Sequence, residues 1–298
     1  MPPVRYQSYE EDSARWSGFP FRDGDIVIST RSKHGTTWMQ MICALLVFPT
    51  TELPTKLGEL SPWMDWLITR RDDVWALLAA QQHRRVIKTH TPLDGIPLDP
   101  RVSYLVVARH PLDAAISLYH QSNNLDRVLL RELTDQPAVP SPPVRPPLDE
   151  WLRDWIDRVC TPSEDLDSLP GVMWHLSDAW NPRHEPNILL VHYEDLSADL
   201  ETEMRRIAHW LAITVPETTW PRLVDAARFE QMQARAEQLV PDTVGVIIDP
   251  DRFFLRGTSA ARFEVLSTED LHRYRDRAAQ LAPTDLLRWL HREQPAPT

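Results

Sequence analysis

Along the chain, short runs of apolar, largely β-branched residues alternate with longer stretches whose apolar positions recur at helical spacing. Four runs, Asp25–Ser29, Val86–Lys88, Tyr104–Ala108 and Ile188–Val191, are short and apolar enough to be buried strands. Three of them lead straight into helical patterns, over Thr36–Val47, Leu112–Gln121 and Ala198–Leu211. The fourth, Val86–Lys88, runs into Thr89-His90-Thr91-Pro92, where proline disfavours helix at Thr91 and a turn is expected. This alternation is that of βαβ units. It predicts an α/β protein of three layers, a central, mostly parallel sheet flanked by helices.

Between Pro137 and Pro147 stand six prolines in eleven residues, a density that excludes helix and sheet interior and predicts a surface loop. After it, Leu148, Trp151, Leu152, Trp155, Ile156 and Val159 fall at helical spacing and are expected to pack on the core. No internal repeat or domain boundary interrupts the pattern. The 298 residues are read as one domain, with a core over about residues 20–275.

Composition narrows the function classes. Hydrophobic residues at 42% and charged residues at 25% are ordinary for a globular protein. A formal charge of -11 argues against a general nucleic-acid binder, so an anionic ligand must be held locally. Cys43 and Cys160 are too few for a disulfide framework and lack metal-ligand spacing; both are expected to be buried thiols. The N-terminus has no apolar signal region, and the longest apolar stretch, Met39–Phe48, is short of the roughly 20 residues of a membrane span. A cytoplasmic protein is expected.

In an open parallel sheet, ligands bind beyond the carboxyl ends of the strands. The residues just after these strands are mostly cationic: Arg31 and Lys33, then Lys88 with His90 close behind, then Arg109. The strongest single signal is the segment Ser29-Thr30-Arg31-Ser32-Lys33-His34-Gly35-Thr36-Thr37-Trp38, a strand turning through glycine into a helix. A helix N-terminus with free N–H groups, two threonine hydroxyls and a mobile lysine suits a phosphate. It is nevertheless not the nucleoside-triphosphatase pattern G-x-x-x-x-G-K-S/T, because the lysine precedes the glycine and no Lys-Ser/Thr pair follows to hold magnesium.

These residues resemble the cytosolic sulfotransferases, whose phosphosulfate loop reads T-x-P-K-S-G-T-T-W after a similar strand. Val86–Leu93 is similar to the family's V-K-T-H-x-P-L segment, and Tyr104–His120 to its Y-x-x-R-N-P-x-D-x-x-x-S-x-Y-H segment. Tyr193-Glu194-Asp195-Leu196 repeats its Y-E-D-L. The resemblance implies a P-loop-like fold and a donor, 3′-phosphoadenosine 5′-phosphosulfate, that leaves as adenosine 3′,5′-bisphosphate (PAP), with no metal. It implies that Lys33, Gly35, Thr36 and Thr37 bind the 5′-phosphosulfate, with Arg31 and His34 of the same loop counted among the donor-binding residues, and that Arg109 and Ser117 bind the 3′-phosphate. Trp38 and Phe229 would flank the adenine, with Tyr193 at its edge. Sulfuryl transfer needs charge stabilised at both ends of an in-line displacement, which suits Lys33 on the bridging oxygen and Lys88 on the sulfuryl oxygens. His90 is the side chain of this group able to act as general base near neutral pH.

Three positions depart from the family. His34 stands where serine is usual, and can tune Lys33, accept a proton or point outward; His110 replaces the asparagine after Arg109. The family's F-M-R-K-G-x-x-G-D-W-K is represented by Phe253-Phe254-Leu255-Arg256-Gly257 and a shortened turn. By resemblance Phe254, Arg256 and Gly257 complete the donor site, with Arg262 as a cation at hand. The dimer motif is barely represented, so monomer and homodimer both stay open. Trp63–Trp66, the 137–147 loop and Val244–Phe254 are the expected acceptor walls, for a small, largely hydrophobic molecule bearing a hydroxyl. A P-loop kinase and a non-catalytic nucleotide-binding relative are the competing readings.

Overall fold

The computed structural model describes residues 2–137, 145–240, 244–254 and 260–292. Four strands, β1 (Ile26–Ser29), β2 (Val86–Thr89), β3 (Ser103–Ala108) and β4 (Ile188–His192), form a parallel sheet in the order β2-β1-β3-β4. Ile26 pairs with both Val86 and Ser103, and Tyr104 with Ile188. The chain leaves β1 to one side for β2 and returns to the other side for β3. The strand order therefore reverses between β1 and β3, the place where such sheets open a crevice.

Alternate strand residues point into different layers. Ile26, Ile28, Leu105 and Val107 enter one core with helix α1 (Thr36–Val47), whereas Val27, Ile87, Tyr104 and Val106 enter another with Trp16, Phe19 and Leu78. Helix α1 is apolar nearly all round, and Met39 through Leu46 are buried. Helix α2 (Pro111–Ser122) follows β3, and α3 (Arg127–Leu133) follows a short turn. Helices α4 (Leu148–Asp157) and α5 (Leu169–Trp180) pack with α2 in a further cluster. No helix of the described residues is long and apolar enough to cross a membrane.

The expected helix over 198–211 is α7 (Leu200–Trp210), and a short unexpected helix, α6 (Tyr193–Ala198), precedes it. Asp199 breaks the run because its carboxylate accepts the Thr202 N–H at 3.1 Å as an N-cap. Val159 corrects the core expectation: α4 ends at Asp157, Arg158 is extended, and Val159 is 86% exposed. Cys43 is buried as expected, whereas Cys160 is half-buried, its thiol donating to Ser168 Oγ at 3.2 Å. Residues 138–144 of the proline-rich stretch lie outside the described residues.

At the amino ends of the strands, away from the crevice, Asp25 and Arg85 form a buried ion pair, with Arg85 Nε donating to Asp25 Oδ1 at 2.8 Å. The Arg22 N–H and the Pro20 carbonyl, at 2.8 and 3.0 Å, satisfy part of what remains.

Candidate active site

Gly35 begins the site. It is left-handed at φ 105, a backbone region costly for other residues, and an added Cβ would meet the Tyr193 ring at 3.0 Å. Lys33 is also left-handed, at φ 65. Gly35 has no side chain to cap α1, so the amino end of this helix keeps its N–H groups for a ligand.

Loop, β2, β3 and α6 converge on a cavity of about 640 Å³. Of the residues expected from sequence, Lys33, Gly35, Thr36, Thr37, Trp38, Lys88, His90, Arg109, Ser117, Tyr193, Phe229 and Phe254 line it. Arg256 and Gly257 lie outside the described residues.

Two lysines of the cavity rest on aromatic faces. Lys33 Nζ is 4.3 Å from the centre of the Phe253 ring and 3.4 Å from Gln121 Oε1, and Lys88 Nζ is 3.5 Å from the Trp63 ring. Burial pushes both lysines down to about 7; Arg109 adds to the effect on Lys33, while Glu11 and Asp65 partly oppose it at Lys88. The Arg109 guanidinium lies 4.4 Å over Tyr193 and donates to the Lys33 carbonyl at 3.4 Å, which ties the β3 end to the loop. Trp38 is held edge-on to Tyr193, its centre 5.1 Å away, by a 2.8 Å bond from its indole N–H to the Ala227 carbonyl. Phe229 and Phe254 meet edge-to-face at 6.1 Å.

His90 is buried, with Nδ1 against the Thr30 carbonyl. A carbonyl only accepts, so Nδ1 carries the proton and Nε2 holds the lone pair. Burial, then the Lys88 and Arg31 charges, hold the imidazole well below its ordinary range, which keeps it neutral at pH 7. Its backbone N–H donates to Asp65 Oδ2 at 2.8 Å, and Asp65 also accepts from Trp16 Nε1 at 2.7 Å and from Thr89 Oγ1.

Arg31 and His34 correct the expectation that they face the donor. The Arg31 guanidinium is buried beside the cavity, donating to Asp167 Oδ1 and the His90 carbonyl at 2.5 Å and pairing with Glu11 at 3.4 Å. A guanidinium so partnered is a strut between loop and β2. His34 turns inward, its Nδ1 3.0 Å from the Ser32 carbonyl, to face Asp167 and Trp155 across a small void. Burial lowers it to about 4, so it is neutral. Arg262 is likewise engaged: it donates to buried Asp113, which also accepts the Ala260 and Arg262 N–H groups at 3.0 and 3.1 Å.

Of the expected acceptor walls, Trp63, Trp66, Val246, Ile247, Phe253 and Phe254 line the cavity, whereas Met64 and Asp65 turn into the core. Arg145 represents the proline-rich stretch. Sequence reasoning missed Tyr9, Glu10, Trp155 and Asp167 in the lining. Glu10 and Glu11 arrive because the N-terminal segment bridges to Trp66 and the Leu67 N–H donates to the Glu10 carbonyl at 2.8 Å. No local pattern in residues 2–12 signals that contact.

A family profile described as the sulfotransferase domain matches residues 23–279. A glycolipid sulfotransferase of Mycobacterium bovis is 39% identical over 97% of this chain and 94% of its own length. Its counterpart in Mycobacterium tuberculosis is 40% identical over the same shares. Among solved structures, a mouse sulfotransferase complexed with PAP is similar with a TM-score of 0.69, covering 94% of this chain and 92% of that one at 17% identity. Retinol dehydratase in a complex with retinol and PAP is similar with a TM-score of 0.67, over 95% and 86%, at 20% identity. With the profile covering the sheet and every strand-end residue of the cavity, the chain belongs to the sulfotransferase family.

Proposed function

We propose that this cavity transfers the sulfuryl group of 3′-phosphoadenosine 5′-phosphosulfate to a hydroxyl of an acceptor with a large apolar part, with His90 as general base. The observation that carries this reading is the convergence of Lys33, Lys88 and a neutral His90 whose Nδ1 is committed to Thr30. The PAP bound in the two solved structures supports the donor, and the glycolipid named for the mycobacterial relatives supports an amphiphilic acceptor.

In this reading the α1 amino end, with Thr36, Thr37 and Lys33, takes the 5′-phosphosulfate, and Arg109 and Ser117 take the 3′-phosphate. Trp38, Phe229 and Tyr193 receive the adenine, with Phe254 beside Phe229; Arg256 and Gly257, assigned to the donor by resemblance, lie outside the described residues. The acceptor oxygen forms the new S–O bond as the bond from sulfur to the bridging phosphate oxygen breaks. The acceptor proton passes to His90 Nε2, and the electron pair leaves with PAP. Lys33 stabilises charge growing on the bridging oxygen, and Lys88 holds the sulfuryl oxygens. No phosphate changes hands, which separates this from a kinase.

The test uses purified protein, the 35S-labelled donor and a panel of alcohols, phenols and glycolipids. Transfer is expected, with PAP binding far tighter than ATP with magnesium. His90→Ala is expected to lower kcat about 10²- to 10⁴-fold with PAP affinity kept within a few-fold. Tight ATP–magnesium binding without PAP binding would overturn the donor reading, and unchanged turnover in His90→Ala would remove the base.

A further inference from the structure

His34 stands between two residues of the donor loop that line the cavity, Lys33 and Gly35, yet it is not itself part of that lining. Its side chain is 1% exposed and shares a small void with Pro111, Ala114 and Ala115 of α2. The alanines leave room there for a ring.

What the ring does is set by its two nitrogens. The Ser32 carbonyl only accepts, so Nδ1, 3.0 Å away, carries the proton and donates. Nε2 then holds the lone pair, and it has no hydrogen-bond partner among the described residues. All the directional bonding of the ring therefore passes through Nδ1, and that bond spans Lys33.

Lys33 is left-handed at φ 65, a conformation costly for a residue with a side chain and kept only where the surroundings over-determine it. Here three successive carbonyls are pinned. The Arg31 carbonyl accepts the His34 backbone N–H at 3.2 Å, the Ser32 carbonyl accepts the His34 ring, and the Lys33 carbonyl accepts from Arg109 at 3.4 Å. The first is a turn bond that most residues at position 34 would supply, and the third comes from the end of β3. The second alone depends on the side chain at position 34.

We infer that His34 is a positioning residue: by clamping the Ser32 carbonyl it holds Lys33 left-handed and so fixes where the lysine side chain enters the cavity. The clamp rests on the sulfuryl-transfer reading, which gives Lys33 the bridging oxygen, and adds to it the residue that sets Lys33 in place. It also separates His34 from the acceptor proton, because the ring does not line the cavity.

The experiment replaces the two nitrogens separately in the full-length enzyme. It follows transfer from the 35S-labelled donor to whichever acceptor of the panel wild type uses best. His34→Asn places an amide N–H where Nδ1 stands, His34→Gln places its amide at the Nε2 position, and His34→Leu supplies neither. His34→Leu and His34→Gln are each expected to lower kcat about 10- to 100-fold, the range that follows when a reacting group is misplaced by up to an ångström. His34→Asn is expected to keep kcat within about threefold of wild type, since a hydrogen bond is restored at the same place. Urea unfolding establishes that each variant is folded under assay conditions, and should His34→Leu not fold, His34→Gln carries the comparison.

The same substitution in the Lys33→Ala enzyme separates a clamp on Lys33 from a general effect on the fold. With the lysine gone, His34→Leu is expected to cost less than about a further twofold, whereas damage to the fold would cost the same factor in both backgrounds. Equal losses in the two backgrounds, His34→Asn as impaired as His34→Leu, or undiminished kcat in His34→Leu each overturn the clamp while the transfer reading stands. Wild type that transfers to nothing on the panel overturns both.

Discussion

Lys33 and Lys88 carry opposite consequences for the empty and the occupied enzyme. Both are pushed by burial to about 7, far below the roughly 10.4 of an exposed lysine. Without ligand, the unfolded chain binds more protons than the folded one between those values, so stability is expected to rise with pH from about 7 towards 10. Below pH 7 both ammonium groups are present and their desolvation penalty is felt in full. An anionic donor reverses the preference, because phosphate and sulfate oxygens beside the lysines favour the charged forms. PAP affinity is therefore expected to fall as pH rises from 7 to 9, with proton uptake on binding at pH 8. Calorimetry in buffers of different ionisation enthalpy measures both. An affinity flat across that range, with no proton uptake, would show that these lysines do not titrate with binding. His90 contributes little to this trend, since it is already neutral at pH 7.

At the scale of elements, the β1–loop–α1 unit depends on one backbone conformation. Gly35 at φ 105 leaves the amino end of α1 uncapped and lets Tyr193 approach, and Tyr193 in turn lies under Arg109. Gly35→Ala combines a left-handed alanine, costing about 1–3 kcal/mol, with a contact the ring must yield to. Lower stability to denaturant by about that amount is expected, together with at least a tenfold loss of PAP affinity as loop and ring shift. Stability loss with PAP affinity intact would detach the loop conformation from donor binding. A second element-level device holds the segment after residues 255–259. Buried Asp113, on α2, accepts two backbone N–H groups and the Arg262 side chain. Asp113→Ala leaves a partly buried arginine unpaired, a change that typically costs about 3–5 kcal/mol. PAP binding is expected to weaken as well, because Asp113 stands in the first turn of α2, four residues after Arg109 of the cavity. Urea unfolding and PAP titration on the same variant separate the two effects.

For the whole molecule, what could be read from sequence and what could not divide by the range of the contacts. The four strands and the Thr36–Val47 helix were legible because burial on both faces and helical period are local patterns. The strand-end residues Lys33, Lys88, His90 and Arg109 were legible because parallel topology alone sends those positions to one rim. Arg31 was misread because its partners Glu11 and Asp167 come from distant segments, and no local signal announces that a rim cation is already neutralised. The same holds for Asp65, whose hold on His90 depends on two loops meeting. Topology also divides function from stability across the sheet. The carboxyl ends carry the cavity, whereas the amino ends of β1 and β2 are closed by the buried Asp25–Arg85 pair. Removing one partner of such a pair strands a charge in the core, so Asp25→Ala is expected to cost about 3–5 kcal/mol of stability. Its folded fraction should keep the wild-type KM for donor, because the change lies at the opposite end of the strands. Lys33→Ala is expected to do the reverse: it removes a buried cation whose desolvation opposes folding, so stability holds or rises while kcat/KM falls at least a hundredfold. Thermal unfolding beside steady-state kinetics on the two variants gives the comparison. A rise in donor KM in Asp25→Ala below its unfolding temperature would show that the two ends of this thin sheet are coupled.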